Sequence, residues 1–258
     1  MSHAQGDAEK KLNSFILRVN SNDRLLQSQP TTNFTIGLGQ EVKNHNVKRI
    51  VLRSVSFGNF EYNINTKNQV LTLATGVDGV VSQTIPVGQY ILSDLITRIQ
   101  NIFNPALTNT LTITQDPNTY ILTFAISGGD TIQVDSSSTM APFLGYTATS
   151  PLASSVVAQR VPRLNGLTSC FIRSTHLSKG QYHDNRRDKD ILTSIQVASD
   201  FGQYVYWESF QAELASVNYP RARKLDSTLD FQFLDQNLRE IELNGHNIDI
   251  ELICYFIP

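Results

Sequence analysis

The chain has 258 residues, 40% apolar and 17% charged, with a net charge of −2. That length supports a substantial core, and the near-neutral balance of both the first 150 residues and the rest argues against direct nucleic-acid binding, leaving Arg221, Arg223 and Lys224 to touch phosphate or to pair with Asp184, Asp188 or an acidic neighbour in another subunit. Two cysteines, Cys170 and Cys254, are too few for a disulfide framework; in TSCFI and LICYF they read as buried thiols.

In chain order, residues 1–12 read as a disordered N-terminal arm, polar and without periodicity or the apolar stretch of a signal peptide. No apolar run approaches the roughly 20 residues of a membrane helix. Residues 13–59 follow with SFILRV, NFTIGLG and the long VKRIVLRSVSF, short β-like runs separated by Asn, Asp, Gln and Pro turns.

Residues 60–155 differ. YILSDLITRIQNIF places Leu92, Leu95, Ile96, Ile99, Ile102 and Phe103 on one face at helical spacing. Ser93 is placed to cap its start and Pro105 to mark its end. TLTIT, a turn at Asp116-Pro117-Asn118, and YILTFAI follow, with Tyr120, Leu122, Phe124 and Ile126 on one face. This stretch reads as a small α+β unit.

From residue 156 to 258 the β pattern resumes, through SCFIRSTHL, ILTSIQVA, QYVYWES, LDFQF, REIEL and IDIELICYF. Leu229, Phe231 and Phe233 alternate with Asp230 and Gln232, a half-buried strand. The last run abandons alternation at Ile253–Phe256, which predicts cover on both faces there, by the core and by either the insertion or a neighbouring subunit. The whole reads as mainly β: a single jelly-roll β-sandwich with a small α+β insertion carrying one amphipathic helix.

No catalytic pattern accompanies this. G-x-S-x-G, H-E-x-x-H and the P-loop are absent, and no two histidines form the H-x-H pair of a metal-binding jelly roll. His246, in NGHN, reads as a solvated turn residue. In QYHDNRRDKD (181–190) a solvated loop competes with an ion-pair contact and with a cation site, and Arg186 and Arg187 oppose the last. In QYVYWES either Tyr204 and Tyr206 or Trp207 must face outward; both residue types suit interfaces or a carbohydrate platform.

Four stretches together carry a resemblance: VKRIVLRSVSFGNFEYNI (47–64), SQTIPVGQYILSDLITRIQNIFN (82–104), MAPFLGY (140–146) and LDFQFLDQNLREIELNGHNIDIELICYF. In this order they resemble the minor capsid, or penton, proteins of virophages and Polinton-type viruses, over residues 13–257. The resemblance implies a structural, non-enzymatic jelly-roll protein without cofactor or metal. Five copies would meet at each icosahedral fivefold vertex, among double-jelly-roll major capsid proteins and other minor, cement or fibre proteins. The virion would be its location, after assembly in host cytoplasm or nucleus. Arg186, Arg187, Asp188, Arg221, Arg223, Lys224, Tyr255 and Phe256 are the candidate subunit-interface residues. The competing expectation is a spike or receptor-binding jelly roll that recognises a host glycan or protein.

Overall fold

The structure is a computed structural model that describes residues 12–135, 137–177, 191–209 and 216–257. The chain divides into two compact units, one of residues up to 61 together with residues from 167 onward, the other of residues 62–166.

The first unit opens with strands β1 (Asn13–Asn20) and β2 (Asn33–Gly37), a one-turn helix α1 (Gln40–Asn44), and the long β3 (Asn46–Gly58). β3 is rich in β-branched residues, which fit a pleated, half-buried surface, and it buries Val47, Ile50, Leu52, Val55 and Phe57.

The chain then enters the second unit. Strands β4 (Val70–Thr75) and β5 (Gly79–Thr84) precede helix α2 (Leu92–Phe103), and β6 (Leu111–Gln115), β7 (Leu122–Ile126), β8 (Ile132–Val134) and β9 (Ser155–Val157) follow it. They form two three-stranded sheets, β5-β4-β8 and β6-β7-β9. α2 buries Leu95, Ile99 and Phe103 into the core these sheets share, with Leu92, Ile96 and Ile102 packed at its margin. The predicted apolar face is therefore the packed one. The predicted cap is not: Ile91 occupies the N-cap position without a capping side chain, and the Ser93 hydroxyl lies 3.4 Å from the Asp94 carboxylate instead. Tyr120 also departs from expectation. The Asp116 carboxylate accepts from the N–H groups of Asn118 and Thr119, the turn holds Tyr120 at φ 59°, and its ring is exposed while Leu122, Phe124 and Ile126 are buried.

Three of the sequence stretches behind the resemblance meet here as fold determinants. Ile64 and Gly88 exchange backbone hydrogen bonds of 3.2 and 2.9 Å. The Asn63 side chain accepts from the Tyr90 N–H and donates to the Tyr90 carbonyl at 2.9 and 2.7 Å, so Tyr62-Asn63-Ile64 and Gly88-Gln89-Tyr90 clasp each other. In 140–146, Gly145 takes φ 93°, and a Cβ there would stand 2.0 Å from the Arg160 carbonyl oxygen. Tyr146 beside it is buried, edge-on to Phe124, and donates its hydroxyl to the Val156 carbonyl.

Back in the first unit, β10 (Ser169–Arg173), β11 (Ile191–Gln196), β12 (Tyr204–Glu208), β13 (Ser216–Arg223), β14 (Thr228–Leu234) and β15 (Ile248–Ile257) complete the chain. One sheet runs β1-β15-β3, and β12 and β13 share the far edge of β3 end to end; the other runs β11-β10-β14-β2, all pairs antiparallel. With β12 and β13 taken as one broken strand, the orders are 1-8-3-6 and 2-7-4-5. This is jelly-roll order, two interlocked Greek keys. β13 is itself interrupted: its pairing with β3 skips from Asn218 to Arg223, and Pro220, which has no N–H to donate, stands in that gap. Phe34, Phe57, Phe231 and Phe233 fill the space between the sheets with Ile50, Leu52, Cys170, Leu252 and Cys254.

Two turns shape the C-terminal approach. Asp235 accepts from the backbone N–H of Asn237 and Arg239 and from the Arg239 guanidinium at 2.9–3.0 Å, closing the loop after β14. Asn244 and Gly245, at φ 51° and 82°, supply the paired left-handed conformations of a tight turn ahead of β15.

Candidate assembly surface

The sequence candidates fall into three groups. Arg223, Tyr255 and Phe256 come together at one end of the first sheet. Val47 of β3 stands between Phe256 of β15 and Arg223 of β13, and the next row is Tyr255, Arg49 and Asn218. Arg221 and Lys224 are exposed beside them. Arg186, Arg187 and Asp188, with the rest of 181–190, lie outside the described residues.

Arg223 is not a free contact residue. Its guanidinium lies 4.2 Å from the centre of the Tyr219 ring, and Nη2 donates to the His176 carbonyl at 3.0 Å. The Tyr219 hydroxyl donates to the Leu177 carbonyl, and burial raises its pKa. Arg223 therefore ties β13 to the turn that follows β10. Phe256 faces the His45 ring at 4.0 Å and the Phe15 ring at 5.8 Å, and Arg49 lies over Tyr255 at 5.8 Å.

Within one chain the final strand is covered fully on its inner face only, so the expected outer cover falls to a neighbouring subunit. β15 keeps alternating: Leu252 and Cys254 are fully buried, while Ile253 and Tyr255 are only half-buried. The strand sits between β1 and β3 in one wall, so its outward side chains have those two strands as flanking neighbours. Phe256 is half-buried, packed on the Phe15 and His45 rings. The cysteines lie on facing sheets, both fully buried, and burial holds Cys254 at about 12 and raises Cys170 as well, which keeps both thiols protonated.

Asp230 anchors the turn that Arg223 grips. Its carboxylate, at the start of β14, accepts from the Ser174 hydroxyl, from the N–H and hydroxyl of Thr175 at 3.0 and 2.7 Å, from the His176 N–H at 2.8 Å, and from the His176 ring. Burial alone would push this carboxyl up; the hydrogen bonds from Thr175 and His176 outweigh it and hold it at about 2.

A second surface was not singled out by the sequence. On the outer face of the first sheet, two cross-strand rows lie side by side: Arg18, Glu251, Ser54, Glu208 and Asn20, Asp249, Ser56, Tyr206. Ser54 and Ser56 are short side chains between long ones, and they floor a shallow hollow of roughly 370 Å³. Glu251 is held by Arg18 at 3.1 Å and Arg53 at 3.2 Å, and Asp249 accepts from Asn20 at 2.6 Å. Asp23 completes the wall, so three carboxylates line the hollow, with Arg18 beside them and Arg53 also paired to Glu251. Tyr204 and Tyr206 stand beside it, 68% and 67% exposed, while Trp207 packs partly against the core. The tyrosines, not the tryptophan, are the outward aromatic pair. Among the described residues no three His, Cys, Asp or Glu side chains are grouped to hold a metal, and His246 is exposed, stacked on Phe60 at 3.9 Å.

No family model and no curated protein matches the sequence. Among solved structures, the chain is similar to the crystal structure of the SeMet-labelled mavirus penton protein, with 10% identity over 96% of this chain and 100% of that one, at a TM-score of 0.49. It is also similar to a chain in the cryo-EM structure of the Sputnik virophage, with 9% identity over 95% of this chain and 98% of that one, at a TM-score of 0.41.

Proposed function

We propose that this chain is a structural capsid protein of the virophage and Polinton-type penton class, located in the virion and working by self-association. The observation that carries the reading is the jelly-roll strand order, opened after its third strand by a separate α+β unit. That is the arrangement the sequence resemblance implies, and the motifs behind it support it by doing folding work. Residues 62–64 and 88–90 clasp each other, 140–146 turns on Gly145, and Asp235 and Asn244-Gly245 set the path into β15.

In this reading five copies ring a fivefold vertex through head-to-tail interfaces, surrounded by double-jelly-roll major capsid proteins and by minor or fibre components. The role is one of assembly, and no reaction is assigned to any residue. A low-charge surface with exposed tyrosines on a rigid sheet supports it, because charge is depleted and aromatics enriched at interface cores. The test is co-assembly of this protein with the major capsid protein of the same virus, imaged by cryo-EM. Density for five copies at each vertex is expected. Its presence only elsewhere in the shell, or exclusion from the shell, overturns the penton assignment.

A further inference from the structure

We propose that the tyrosine-flanked acidic hollow on the outer face of the first sheet is a docking site for a second copy of this chain, whose Arg221 and Lys224 enter it. The proposal rests on the self-associating capsid reading above and names the surfaces that would do the associating.

Charge complementarity chooses the occupant. Asp23, Asp249 and Glu251 line the hollow, Ser54 and Ser56 leave room at its floor, and the exposed Tyr206 offers a ring face at its rim. A cationic side chain fits all three features: carboxylates accept its N–H groups, the small serines admit its stem, and the ring attracts its charge. Glu251 is already held by Arg18 and Arg53, so the carboxylates open to an incoming cation are Asp23 and Asp249. Elsewhere on the same sheet, Arg221 and Lys224 are exposed and have no ion-pair partner among the described residues, whereas Arg223 between them is spent on Tyr219 and His176.

One molecule does not satisfy itself. The basic pair flanks the start of β3, next to Val47, and the hollow is floored by Ser54 and Ser56 near its end. Nine residues of strand separate Val47 from Ser56, about 30 Å at roughly 3.3 Å per residue. Two different patches at opposite ends of a rigid sheet make a heterologous contact, which either closes into a ring or runs on as a filament. A closed ring is what a vertex protein requires.

The test is a charge-reversal cycle read by sedimentation at several protein concentrations, with Trp207 fluorescence and circular dichroism confirming that each variant folds. R221E/K224E is expected to raise the concentration for half-assembly at least about tenfold, since like charges then face each other across the contact. D249K is expected to do the same, and R221E/K224E/D249K to assemble at least about threefold more readily than either parent variant because the lysine introduced by D249K then faces the introduced carboxylates. Should D249K misfold, Y206S replaces it and must also weaken assembly. A wild-type oligomer indifferent to R221E/K224E, or a triple variant that stays dissociated, overturns the docking site and leaves the capsid reading standing. A wild-type chain that associates neither alone nor with the major capsid protein overturns both.

Discussion

Replacing Asp230 with asparagine tests how the strand-end turn is held. The carboxylate gathers hydrogen bonds from Ser174, Thr175 and His176, and it is held at about 2 against an ordinary 3.8. Its side chain is 25% exposed, so solvent screens it only in part. A depression of that size corresponds to about 2 kcal/mol of stability. Because the folded-state value is the lower one, the contribution is fully present above the unfolded value of 3.8 and is lost as pH falls toward 2. An asparagine side chain carries no charge at any pH and presents an N–H pair where the turn supplies donors. The variant should therefore be about 2 kcal/mol less stable at pH 7, with the gap narrowing below about pH 4 and nearly closed at about pH 2. Urea unfolding at fixed pH, followed by fluorescence, isolates the relevant unit, because Trp207 is the only tryptophan and lies in β12 of the jelly roll. A gap that persists undiminished near the folded-state value, or is missing at neutral pH, refutes the account of Asp230.

Phe233→Ala should cost about 3–5 kcal/mol, because the ring is fully buried between the sheets against Phe57, and the loss should appear as a lower urea midpoint of the Trp207 signal. Asp235→Ala strips a nearly buried carboxylate from the Arg239 guanidinium and two backbone N–H groups; about 3 kcal/mol is expected in the same assay. Gly145→Val should destabilise the residue 62–166 unit by about 3 kcal/mol or more, given φ 93° and the Arg160 carbonyl in the way. Hydrogen exchange should show the protection lost in that unit with β1, β3 and β15 still protected; uniform loss would contradict the division into two units.

What the sequence made legible was periodicity. Leu95, Ile99 and Phe103 recur at helical spacing and are the buried face of α2; Leu229, Phe231 and Phe233 recur at strand spacing and are the buried face of β14. The failures share a cause: they needed knowledge of neighbours. Ile253 and Tyr255 are apolar, so the end of β15 reads as doubly covered, but periodicity does not say that β1 and β3 flank it in one sheet and leave its outer face to a neighbouring subunit. Ser93 has the chemistry of a cap but sits within the first turn, two residues past Ile91. Arg223 looked like one charge among three, and only the nearness of Tyr219 and His176 removes it from the free surface. The hollow was illegible for the plainest reason. Its walls come from β1, the turn after it, β3, β12 and β15, and no sequence spacing links Arg18, Asp23, Ser54, Tyr206 and Asp249.

The proposed vertex role requires self-association into a fivefold ring. Its most direct test is the mass of the assembled species, by light scattering after size exclusion, across protein concentration and ionic strength. Five copies of a 28.8 kDa chain give about 144 kDa, and that species should weaken as salt screens the acidic hollow from the basic strand end. A stable trimer, or a monomer that the major capsid protein does not drive into a larger assembly, would contradict the account.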